Sequence, residues 1–183
     1  MTWLIAGVLL WSAAHLFKRV LPKQRAALGN KGRALVAVLI LASIGMMIVG
    51  YGRAEYVELY ALEQWAWALN NLLMLVAVFL IDVGRVKGVV RTKIRHPMLL
   101  AVVVWTVAHL LVNGDLASLV LFGGLGFWAL IEMVVINRAE GPWQVPERGS
   151  LARDGKTAVI ATAVYAAIVG IHYWLGYSVF VIF

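Results

Sequence analysis

The chain has 183 residues, 63% of them hydrophobic and only 14% charged, with a mean hydropathy of +0.88. A water-soluble domain of this length covers its core with charge, so this balance excludes one and points to an integral membrane protein. The net charge of +7 gathers in short connecting segments, as in polytopic membrane proteins, and implies no nucleic-acid partner. Cysteine is absent, which removes disulfides, thiolate nucleophiles and Cys-ligated metal sites.

Six apolar segments are long enough, or nearly so, to cross about 30 Å of hydrocarbon at 1.5 Å per residue. In chain order they are Thr2–Phe17, Ala34–Gly50, Trp65–Val83, Pro97–Val112, Leu116–Ile136 and Thr157–Phe183. The first, in "MTWLIAGVLLWSAAHLFKRVLP", has its basic residues after the apolar run rather than before it. That order predicts a retained first helix, not a cleavable signal. The segment 18–33 follows with Lys18, Arg19, Lys23, Arg25, Lys31 and Arg33. Between the second and third spans the only basic residue is Arg53. The third span carries Asn70 and Asn71 and ends at Asp82.

The segment 84–96 is again basic, with Arg85, Lys87, Arg91, Lys93 and Arg95. His96 precedes Pro97, whose ring suits the first position of a helix. The fourth span holds His109 and closes on "NGD", a tight-turn signal at Asn113, Gly114 and Asp115. In the fifth span, "FWALIEMVVI" buries the acid Glu132, which calls for a partner such as a basic residue or His96. The irregular segment 137–156 carries Arg138, Arg148, Arg153 and Lys156. His172, beside Tyr173 and Trp174, suits an aromatic interfacial belt and is not read as a ligand.

Fifteen of the sixteen Lys and Arg residues thus fall on one side of a six-span layout. Basic loops stay on the cytoplasmic side, so both termini are expected outside. The fold expected is an all-α polytopic membrane helix bundle, with residues 1–183 forming one transmembrane domain.

"WSAAHL" (Trp11 to Leu16) recurs as "WTVAHL" (Trp105 to Leu110). The two copies lie in the first and fourth spans, which run in opposite directions in a six-span chain. That is the pattern of a three-plus-three inverted repeat. Each histidine sits about five residues from the middle of its span, a backbone depth difference of roughly 15 Å. Side chains lean toward their own helix N-terminus, which draws both imidazoles toward the midplane. Such a spacing suits two axial nitrogens on either face of a flat macrocycle, a haem, better than a bare metal ion. The alternative is that each imidazole bonds a nearby carbonyl and only ties helices together. On the first reading His15 and His109 are metal ligands, and the repeated Trp11, Trp105 and Thr106 flank the cofactor. His96, Glu132 and Asp82, expected near one level, are the candidates for catalysis.

"IRHPMLLAVVVWTVAHLLVNGD", with the early "AAHLF" and the six-span layout, resembles the NnrU family. The resemblance covers the chain from the first span through the fifth. It implies a multi-pass protein of the bacterial inner membrane linked to denitrification, with nitrite and nitric oxide reductase systems as partners. The family is similar to the haem-b enzyme 15-cis-ζ-carotene isomerase, which acts on a lipophilic substrate. Its proposed iron ligands fall on His15 and His109 here. Thr106 stands where the isomerase type has a cysteine, so no ligand switch through that side chain exists in this chain. "RHPM" is also reminiscent of S-adenosylmethionine-dependent membrane methyltransferases of the isoprenylcysteine and phospholipid type. That resemblance implies roles for Arg95, His96, Arg138 and Glu140. A third reading is a non-enzymatic accessory protein. No P-loop, Rossmann glycine pattern, HExxH or Ser/His/Asp set is present.

Overall fold

The computed structural model describes residues 1–180 and is all-helical, with no strand among the described residues. We number the helices α1 Thr2–Val20, α2 Pro22–Ala27, α3 Gly29–Gly52 and α4 Gln64–Val83. They continue as α5 Pro97–Val112, α6 Leu116–Glu140 and α7 Leu151–Trp174. Five of these, α1, α3, α4, α6 and α7, are long and apolar enough to cross a membrane, and α5 is a shorter apolar helix. Many of their large apolar side chains lie on the surface: Leu41 is 69% exposed, Phe127 66% and Val159 71%. Water would not tolerate such a surface, whereas acyl chains do, so the chain is a multi-pass membrane protein.

Each of the six apolar segments predicted from hydropathy falls on a helix, five of them long enough to span, but several boundaries move. The second span starts at Gly29 rather than Ala34, and α2 forms within the basic segment that sequence reading left as a loop. Helix propagates into polar flanks because Lys and Arg are good helix formers whose long stems reach water from an apolar base. The last span starts at Leu151, not Thr157, and stops at Trp174. Gly176 ends it by adopting φ 88°, a left-handed cap that side-chain-bearing residues resist. Of the predicted continuation to Phe183, residues 181–183 lie outside the described residues.

The chain divides into two compact units, Met1–Ala61 with Asn113–Glu140, and Leu62–Val112 with Gly141 onward. In the first, α1 packs along α3 and against α6. The contact is close because it is built on small residues. A Cβ on Gly7 would lie 2.8 Å from the Met47 side chain, and one on Gly50 would strike the Leu4 backbone. Without a hydrophobic drive between helices in lipid, such backbone proximity is what gains dispersion energy. Leu4, Val8 and Met47 are buried around it.

Asp115 starts α6 by accepting from the Ser118 amide at 3.0 Å and the Ser118 hydroxyl at 2.5 Å. Tyr51 reaches the same hydroxyl at 2.8 Å. The segment before it is clamped by Leu59 N–H to the Gly114 carbonyl (2.8 Å) and Tyr60 Oη–H to the Asn113 carbonyl (3.0 Å). Burial, and then the Asp115 carboxylate, push the Tyr60 hydroxyl above its usual pKa of 10, which keeps it a donor at neutral pH. "NGD" is thus a turn that also caps a helix. Past this cap, residues Leu119–Gly123 relax into one π-turn within α6.

In the second unit, α4 packs along α5 and α7. Leu80, Val83 and Ala101 form its core, covered by Phe79, Val90, Ile94, Leu100 and Val104. Asn71 joins α4 to α7 by accepting from Tyr165 Oη at 2.8 Å. Asp154, in the first turn of α7, is 9% exposed and accepts from the Val89 and Val90 amides at 2.7 and 3.2 Å. Gly149 N–H reaches the Gly88 carbonyl at 3.1 Å, so two connecting segments are stapled together.

Candidate functional site: two tryptophan-braced histidines

The repeated hexapeptide folds into the same local structure twice. His15 Nδ1 lies 2.9 Å from the Trp11 carbonyl, and His109 Nδ1 lies 2.9 Å from the Trp105 carbonyl. A carbonyl can only accept, so Nδ1 carries the proton in both rings. In the neutral imidazole the lone pair is then on Nε2, the tautomer a metal ligand needs. The carbonyl brace alone does not single these residues out, since His172 Nδ1 makes the same bond to Ile168 at 2.8 Å. What distinguishes them is the tryptophan ring four residues back. Trp11 and His15 have ring centroids 4.2 Å apart, and Trp105 and His109 4.9 Å. The two small residues preceding the histidines, Ala14 and Ala108, are buried at 4% and 0% exposure. The motif's hydroxyls are tied to their own helices: Ser12 donates to Val8 at 2.8 Å and Thr106 to Val103 at 2.8 Å.

Around His15 the first unit builds a second layer. Trp128 of α6 packs against the imidazole at 4.7 Å with the rings tilted by 58°, and meets Trp11 edge-on at 5.4 Å. One helical turn on from Trp128, Glu132 is 9% exposed and lies within electrostatic reach of His15 and Arg19. The basic groups near the acid in "FWALIEMVVI" come from α1. Arg19 also donates to Glu140 at 2.7 Å. Trp11 Nε1 is buried in this nest with no hydrogen-bond partner among the described residues, while Trp128 and Glu132, one turn apart on α6, interact with each other. A buried polar atom is rarely left so, and this one lies against the His15 ring.

His172, like His109, falls in the second unit, and its ring lies beside Tyr177 with centroids 6.4 Å apart. Asp82 is half-exposed and pairs loosely with Arg85 at 3.7 Å, the geometry of a surface ion pair. His96 caps the start of α5, its carbonyl accepting from Leu100 N–H at 2.9 Å. Asp82 and His96 fall in the second unit and Glu132 in the first, so the three candidates for catalysis are divided between the units. Of the methyltransferase candidates, Glu140 is engaged with Arg19 and Arg138 is exposed.

A family model described as NnrU protein matches residues 3–179. The chain belongs to the NnrU family. No curated protein and no solved structure matches it. The NnrU match runs from α1 to beyond α7, further than the motifs that carried the resemblance, and takes in both tryptophan-braced histidines. Trp128 and Arg19 are the site residues that sequence reading passed over. The Trp128–Glu132 spacing of one helical turn was the available signal.

Proposed function

We propose that this NnrU-family membrane protein binds haem b, which His15 and His109 would hold through Nε2. The observation that carries the reading is the duplicated brace: one imidazole in each unit, Nδ1–H tied to the carbonyl of a tryptophan that also packs on the ring. That arrangement fits the donor set a haem requires, since the protonated Nδ1 fixes both tautomer and ring orientation. A bound haem supplies an iron for electron transfer, for a diatomic gas ligand or for isomerising a lipophilic substrate. Trp11 and Trp128 exclude water from the His15 ring and hold it in one rotamer. Glu132 and Arg19 set the local charge beside it. With this goes a place in the bacterial inner membrane and a role in denitrification or nitric oxide metabolism, alongside the enzymes of that system.

The test is the visible spectrum of the detergent-purified full chain from a haem-replete host. The wild type is expected to show a Soret band that His15→Ala and His109→Ala each weaken severalfold. His172→Ala, which removes a carbonyl-braced imidazole lacking the tryptophan, is expected to leave it. A colourless wild-type protein would sink the proposal.

A further inference from the structure

The basic end of the first unit holds a cavity of about 420 Å³ where α1 gives way to α2 and α3. Lys18, Arg25 and Arg33 line it, together with Pro22, Gly29 and Asn30. No carboxylate does, and the segment itself supplies none, since the chain has no Asp or Glu before Glu55. The neighbouring cation Arg19 is neutralised by Glu140. A basic loop by itself needs no such convergence: Lys23 and Lys31 satisfy the same topological rule without lining the cavity. The second unit offers a contrast. Its cavity of about 250 Å³ at Lys87, Arg148 and Arg153 also contains Glu147, which would repel an anion.

Arg25 is held in place. Its Nη1 donates to the Gly29 carbonyl at 3.2 Å, and the guanidinium rests on buried Gly32, where a Cβ would sit 2.5 Å from Nη1. One donor is thereby used and the rest of the planar fork stays available, the geometry that suits phosphoryl oxygens. The apolar residues next to the lining positions are exposed: Leu21 at 43%, Leu28 at 39% and Leu35 at 43%. Cations beside bare leucines at the end of membrane helices match a molecule that is anionic at its head and apolar below it.

We infer that this cavity binds the phosphoryl headgroup of an anionic phospholipid, with Lys18, Arg25 and Arg33 on the phosphate and the leucines along the acyl chains. The site is independent of any cofactor at His15. It is tested on the detergent-purified full chain titrated with phosphatidylglycerol, with phosphatidylcholine as the reference and bound lipid counted by native mass spectrometry. Each lining cation is expected to strengthen binding about fivefold, so Arg25→Gln/Arg33→Gln should weaken phosphatidylglycerol retention roughly 25-fold. Lys23→Gln/Lys31→Gln removes the same charge from the same loop outside the cavity, and retention should stay within about threefold of wild type. Inorganic phosphate at the lipid's concentration should not displace it. Equal losses in the two double variants would overturn the site in favour of a diffuse basic surface. Displacement by inorganic phosphate would overturn the lipid as its ligand. If the lining pair fails to fold, Arg33→Gln at its exposed position reads the same comparison, with about a fivefold loss expected.

Discussion

Arg19 shows how one side chain decides the electrostatics of an apolar neighbourhood. It donates to Glu140 at 2.7 Å, and with His15 it contributes the positive charge near buried Glu132. Removing either end of the visible ion pair is therefore not equivalent. Glu140→Gln loses a half-exposed partner and is expected to change stability by about 0–1 kcal/mol. Arg19→Gln leaves Glu132 buried beside no guanidinium and is expected to destabilise by roughly 1–3 kcal/mol. Thermal melts of the two variants in the same detergent check the order, and a larger loss for Glu140→Gln would contradict it. At the same scale, the histidine motif was legible because its contacts are local. A tryptophan, a hydroxyl and a histidine within one and a half turns dictate each other's geometry wherever the helix stands. Trp128 was not, because it reaches His15 only through the packing of α6 on α1.

Helix ends depend on connections that sequence periodicity does not reveal. The segments 84–96 and 137–156 read as charged loops, yet Asp154 draws them together by accepting two amide protons. Asp154→Ala strands the Val89 and Val90 amides and is expected to cost about 1–3 kcal/mol locally. Faster hydrogen exchange at those two amides, with exchange in the α4 core unchanged, is the expected reading. Gly88→Ala is expected to reproduce it, since a Cβ there collides with the Asp154 carboxylate. Both variants exchanging like wild type would show that the staple contributes nothing. An acid near a helix start reads from sequence as favourable dipole placement. That it is buried against a distant loop is a property of the folded chain.

For the whole molecule, charge and hydropathy carry the topology. The asymmetry of Lys and Arg predicts segments 18–33, 84–96 and 137–156 on the cytoplasmic side. Reporter fusions after Ala27 and Arg148 are therefore expected to read cytoplasmic, and one after Glu58 external. A cytoplasmic signal at Glu58 would overturn the orientation. The shortness of α5, already visible as Pro97–Val112, follows from Pro97 at one end and the "NGD" turn at the other. Its boundaries were accurate because both are set by residues with strict backbone preferences.

Sequence alone determined that the chain is helical, crosses a membrane several times, gathers its cations in three connecting segments and repeats one Trp–His motif. Each follows from hydrophobic transfer, charge or contacts within a few residues, which act the same way in any fold. Only the tertiary structure decided that Trp128 of α6 packs on His15 with buried Glu132 one turn beyond it, and that Asp154 staples two loops. It also decided that three of the six cations of one basic segment converge on a single cavity. These contacts join residues tens of positions apart, and they are chosen by how small residues let helices approach, which no local pattern encodes.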